Sequence, residues 1–166
     1  DHAELADRIG AQLGRLDGLL HCAADFDGLT PLEHTDPGAF ARALHVDLTA
    51  RWWLTRACLP LLRKAGDGSV VFTIDAGAPA AYRGAYGIAQ HAQRALLDTL
   101  QAEHGSGPVR FRALDPGPLR TPLRARAHVA DEDRLARDPA EAAAACVALL
   151  APTGDGVRGP ARASPA

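Results

Sequence analysis

The sequence predicts an α/β fold with a mostly parallel sheet and helices on both faces, and three observations predict it. Short apolar runs at Leu16–Ala24, Ser69–Thr73 and Val109–Leu114 are consistent with strands buried on both faces. Between them lie longer segments with apolar residues three and four apart, the spacing of amphipathic helices. Turn signals built from Gly, Pro and Asp separate the two kinds of segment. Strands that alternate with helices form parallel βαβ units, and the right-handed crossover rule then leaves few topologies.

In chain order, Ala3 to Leu16 has Leu5, Ile9 and Leu13 spaced four apart, an amphipathic helix. The run Leu16–Ala24 ends in small residues, at the carboxyl end of a strand where ligands of open parallel sheets bind. Asp25 to Gly38 is a polar loop whose Asp36-Pro37 supplies an N-cap and a proline for the first helical position. A long helix from about Ala39 to Lys64 comes next, with Phe40, Leu44, Leu48, Trp52, Leu54, Leu59 and Leu62 apolar and Pro60 expected to bend or end it. Of Trp52 and Trp53, one is expected in the core and the other at an interface.

Gly66-Asp67-Gly68 is a turn into the β-branched strand Ser69–Thr73. The loop Ile74–Arg83 leads into a helix that contains Tyr86 and stops near His104-Gly105. Asp115-Pro116-Gly117-Pro118 breaks off the third strand. Pro139 to Leu150 is an Ala-rich helix, and a last short strand is expected near Gly156-Val157-Arg158.

A chain of 166 residues fits one domain, residues 1–166, with enough core to need neither disulfides nor metal. The net charge of -2 calls for neither nucleic acid nor an anionic membrane surface. No apolar run reaches the roughly 20 residues of a membrane-spanning helix and no signal peptide opens the chain, so a cytoplasmic location is expected. Cys22, Cys58 and Cys146 lack metal-type spacing and read as three buried thiols. The chain contains no Met and opens on Asp1-His2 inside a helical pattern, so a fragment or processed form is expected.

Tyr86 and Gln90, four residues apart, share one face of their helix. With the strand Ser69–Thr73 before them and Asp115-Pro116-Gly117 after, they make the segment similar to the short-chain dehydrogenase/reductase family, whose helix reads Tyr-x-x-x-Lys. The resemblance runs from Leu5 to about Gly159. It implies the second half of a doubly wound, Rossmann-like fold, NAD or NADP as cofactor, and a small carbonyl or alcohol substrate.

By the same resemblance Tyr86 is the proton donor, Gln90 stands at the lysine, Asp75 at the serine and Asp47 at the asparagine of the family's catalytic set. Cys22, Ala23 and Ala24 stand at its Asn-Ala-Gly, and Pro116, Gly117 and Thr121 at the residues that meet the nicotinamide end of the cofactor. Three of four catalytic positions thus differ in charge or hydrogen bonding, which implies an eroded site. The packing of small residues alone also accounts for Cys22–Ala24, and Asp75 also reads as a solvated loop aspartate.

No Gly-x-x-x-Gly-x-Gly or Gly-x-Gly-x-x-Gly turn occurs, so this stretch alone is expected to bind a dinucleotide poorly. The resemblance also implies a homo-oligomer through the helices at 39–64 and 84–104. Two functions remain open: an NAD(P)-dependent oxidoreductase, and a non-catalytic relative that serves as an interaction module. A Ser/His/Asp hydrolase lacks its Gly-x-Ser-x-Gly elbow here.

Overall fold

A computed structural model of the protein describes residues 1–78, 80–127 and 135–153, so the strand expected near 156–158 lies outside the described residues. Its elements in order are α1 (His2–Leu13), β1 (Gly18–His21), a 3-10 turn (Leu32–His34), α2 (Pro37–Leu44), a π turn (His45–Thr49), α3 (Ala50–Lys64), β2 (Gly68–Thr73), α4 (Gly84–His104), β3 (Val109–Leu114), α5 (Pro122–Ala127) and α6 (Pro139–Leu150). The strands form one parallel sheet in the order β1-β2-β3, with Leu19 opposite Val70 and Val70 opposite Phe111. Because each strand is added on the same side of its predecessor, right-handed crossovers place α2–α3 and α4 on one face. The chain returns beneath the other face only after β3, as α6.

Strand alternation divides the core accordingly. Val70, Phe72, Val109 and Phe111 point to the helical face and pack with Leu61, Leu62, Leu97 and Leu100. Gly18, Ser69 and Arg110 point to α6: a Cβ on Gly18 would stand 2.9 Å from Leu150, and the Ser69 hydroxyl donates to the Leu149 carbonyl at 2.8 Å. Arg110 fastens the same end of α6 by donating to Asp67 at 2.6 Å and to the Ala151 carbonyl at 2.9 Å. Among the described residues no helix is long and apolar enough to cross a membrane.

Several expectations need correction. The helix expected over 39–64 is three segments, because the π turn at His45–Thr49 inserts an extra residue into the ladder and rotates α3 relative to α2. The inward face of α3 is therefore Arg51, Thr55, Cys58 and Leu62, while Trp52 and Trp53 are 40% and 41% exposed, so neither tryptophan is core. Pro60 does not end the expected helix: α3 runs on to Lys64, and Pro60 lies on its exposed side. Of the three cysteines only Cys58 and Cys146 are buried; Cys22, past the end of β1, is exposed. In α1 the close contact is made by Ala6 and Gly10, whose Cβ position lies 3.2 Å from Leu61, and Leu5 and Leu13 face outward.

Gly87 shows how tightly the loop after β2 is seated on α4. A Cβ there would lie 2.6 Å from the Ala78 carbonyl oxygen. Gly87→Ala is expected to destabilise the protein by about 1–3 kcal/mol, the usual cost of overpacking, despite the better helix propensity of alanine. Urea denaturation checks this.

Candidate active site

The sequence-predicted residues gather at the carboxyl ends of the strands. Tyr86 lies one turn into α4, which is entered through a turn where Tyr82 holds φ +68°, in the left-handed region, with its carbonyl accepting from the Thr30 amide at 2.8 Å. The Tyr86 side chain is buried against Phe26, ring centroids 5.4 Å apart and nearly edge to face. Its hydroxyl donates to Asp75 Oδ2 at 3.3 Å. Burial raises the Tyr86 pKa well above that of free tyrosine, and the Asp75 and Asp47 carboxylates raise it further. The group is a neutral phenol throughout the physiological range.

Gln90, one turn on, is buried and turned the same way, but it acts as a clasp: its Oε1 accepts the Asp75 backbone amide at 3.1 Å. Asp75 is half-buried and turned inward, and it also accepts from the Gly77 amide at 3.0 Å. The reading of Asp75 as a solvated loop residue gives way to one in which α4 holds both its backbone and its carboxylate. Asp115 ties this loop to the next strand end, accepting from the Ala76 amide at 3.1 Å and from the Gly117 amide at 2.8 Å. Gly117 holds φ +66°, in the left-handed region that favours glycine.

Asp47 is fully buried within the π turn. Its Oδ1 accepts the Asp25 amide at 2.9 Å, and its backbone carbonyl accepts from Gln93 Nε2 at 2.9 Å. Burial pushes the carboxyl up to about 7; the Asp25 amide and the charge of Arg51 offset only part of that. Cys22, Ala23 and Ala24 follow β1 as predicted, with Cys22 and Ala23 exposed. Thr121 caps α5, its hydroxyl accepting the Arg124 amide at 3.2 Å.

The structure thus joins Tyr86, Asp75 and Gln90 directly, and joins Gly117 to them through Asp115. The helix that Thr121 starts reaches Tyr86, since Leu123 and Ala127 pack on Phe26 and Tyr86.

Two features escaped the sequence reading. The first is α5, whose six residues carry two arginines and no apolar period long enough to register. The second is Arg51, 3% exposed, which donates from Nη1 to the Thr73 carbonyl at 3.1 Å and from Nη2 to the Ala23 carbonyl. Its signal was its place four residues after Asp47, an acid–base spacing on one helical face. His21 completes the buried polar layer: Nε2 lies 2.8 Å from the Thr55 hydroxyl, and burial, aided by Arg51, lowers its pKa to about 4.

Comparisons with known proteins show the family. The profile of the enoyl-(acyl carrier protein) reductase family matches residues 1–161. The chain is 32% identical over 140 residues to the uncharacterized oxidoreductase YciK of Escherichia coli K12, covering 83% of this chain and 55% of that protein. Its structure is similar to that of a short chain dehydrogenase from Pseudomonas syringae, with TM-score 0.87 and 36% identity over 94% of this chain and 64% of that one. It is also similar to a short chain dehydrogenase from Escherichia coli CFT073 complexed with NADPH, with TM-score 0.84 and 32% identity over 90% of this chain and 63% of that one. The chain therefore spans between half and two thirds of the length of these relatives. Sheet order and these matches together place the chain in the short-chain dehydrogenase/reductase family of oxidoreductases.

Proposed function

We propose that these residues form the substrate side of an NAD(P)-dependent oxidoreductase with an attenuated catalytic centre, working in the direction of carbonyl reduction. The observation that carries this reading is the Tyr86 hydroxyl donating to Asp75 beside an uncharged Gln90. A neutral phenol can give a proton to an oxygen that is gaining charge, but it cannot take one from an alcohol. Gln90 supplies no charge to favour the phenolate. Asp75, placed where a donor would meet the substrate oxygen, repels that charge and holds the tyrosine proton.

The residues fit the nicotinamide end of a dinucleotide. Cys22 and Ala23 are exposed past the end of β1, Gly117 leaves the backbone open after β3, and Gln90 Nε2 has no partner among the described residues. These, with Pro116 and Thr121, would hold the nicotinamide and its ribose, and the bound reduced nicotinamide would supply the hydride. The chain's own contribution is to seat the carbonyl at the Tyr86 hydroxyl, exclude water there, and release the Tyr86 proton.

The reading includes a cytoplasmic homo-oligomer that covers the faces of residues 39–64 and 84–104; the exposure of Trp52, Trp53 and Ile88 supports that assembly. The decisive assay is oxidation of NADH and NADPH by the natural protein against a panel of aldehydes and ketones. Slow reduction is expected, with Tyr86→Phe lowering it by about a hundredfold or more. Equal rates in the two proteins overturn the reading.

The bond from Tyr86 to Asp75 also favours a non-catalytic relative, because it occupies the one hydroxyl available for chemistry. Absence of turnover even with lysine at 90 and serine at 75 decides for that second reading.

A further inference from the structure

Arg51 is a buried cation with no assigned role, and its surroundings give it one. Its two terminal nitrogens bind the carbonyls of Thr73 and Ala23, at the carboxyl ends of β2 and β1. Its charge lies next to Asp47, one helical turn before it, and both side chains are buried. Arg51 Nε and Asp47 Oδ2 have no hydrogen-bond partner among the described residues. Asp47 Oδ1 meanwhile holds the Asp25 amide, and the next residue, Phe26, places its ring against Tyr86.

We propose that Arg51 is a positioning residue of this site: it ties the ends of β1 and β2 together and sets its charge beside Asp47, and through Asp47 it seats Phe26 against Tyr86. The proposal rests on the reading of Tyr86 as the reacting group. Other holds on the same loop come from Arg42, which grips Asp25 at 2.8 Å, and Arg126, which donates to the Phe26 carbonyl at 3.1 Å. Neither touches Asp47. The charged and titratable groups that face Asp47 are Arg51 from α3, Asp25 from the loop after β1, and Tyr86 from α4. Only Arg51 among them is cationic, so only its removal withdraws positive charge from the carboxylate.

The test is a carbon-13 NMR titration of Asp47 in the natural protein, with amide hydrogen exchange at Asp25 read alongside. The wild-type midpoint is expected near 7. Arg51→Gln is expected to raise it by about one unit or more, and to speed Asp25 exchange at neutral pH by up to about twofold as the carboxyl becomes neutral. Arg51→Lys, which keeps a charge but not the two-headed reach, is expected to raise it by less than about one unit.

An unmoved midpoint in folded Arg51→Gln overturns the proposal. If Arg51→Gln does not fold, Arg51→Lys decides: a rise of about one unit or more shows that charge is not what holds Asp47, and a smaller one supports the proposal. Neither readout needs turnover, so the failure of the oxidoreductase reading and the failure of this proposal appear in different experiments.

Discussion

The double substitution Gln90→Lys and Asp75→Ser is expected to lower the Tyr86 pKa by several units and to raise carbonyl reduction by about a hundredfold or more. Three influences hold the phenol neutral: burial first, then the charges of Asp75 and Asp47, then the hydrogen bond to Asp75. Burial remains in the variant. The substitution removes Asp75 and places an ammonium one helical turn from Tyr86, where a unit charge some 4 Å away at an effective dielectric of about 20 is worth roughly 4 kcal/mol, or about three pKa units. Serine also replaces a group that repels a developing oxyanion with one that donates to it.

Absorbance titration of the phenolate reads the first effect. The protein has two tyrosines, and Tyr82 is 61% exposed, so a Tyr82→Phe background isolates Tyr86. Steady-state assays with NADPH read the second. A Tyr86 pKa that stays above that of free tyrosine would show that burial, and not the neighbouring charges, keeps the site slow.

The strands were legible because β-branched runs bounded by Gly, Pro and Asp have few alternatives, and β2, α4, β3 and α6 lie within a residue or two of their predicted places. Within the long helix, what was not legible has one physical source. A π turn shifts the phase of every later residue in the helix by one position, and hydrophobic periodicity carries no mark of that shift. Leucine and tryptophan spacing therefore pointed Trp52 inward, whereas the structure turns Arg51 and Thr55 to the sheet and leaves both tryptophans at the surface.

The site divides in the same way between local pattern and long-range contact. Asp47 could be matched to a family position by its place in the helix, but its burial, its hold on the Asp25 amide and its pairing with Arg51 depend on how distant segments pack. Tyr86 and Gln90 were legible as a helical pair; Gln90 as a clasp on the Asp75 amide was not, because that bond depends on where a loop lands.

Asp47→Asn is expected to stabilise the protein at pH 8 by up to about 4 kcal/mol and to turn a nearly flat profile of stability between pH 4 and 6.5 into a rising one. Asp47 has a pKa of about 7 in the folded protein, against roughly 3.9 when unfolded. The folded state thus holds the extra proton between those values, and stability falls as pH rises through that window. His21 does the opposite. Its pKa is about 4 when folded and roughly 6.5 when unfolded, so the unfolded state holds the extra proton and stability rises with pH over nearly the same range.

In the wild-type protein the two terms largely cancel between pH 4 and 6.5, and only the Asp47 loss remains above that. Asparagine keeps an acceptor for the Asp25 amide and removes the titration, leaving His21 alone. The variant should then gain about 3 kcal/mol as pH rises from 4 to 6.5 and stay level beyond, while matching the wild type near pH 4, where Asp47 is already neutral. Urea denaturation at intervals of pH measures both curves. Parallel curves for the two proteins would mean that Asp47 is ionised in the fold as readily as in the unfolded chain, and the pull of Arg51 would then outweigh the cost of burying the carboxylate.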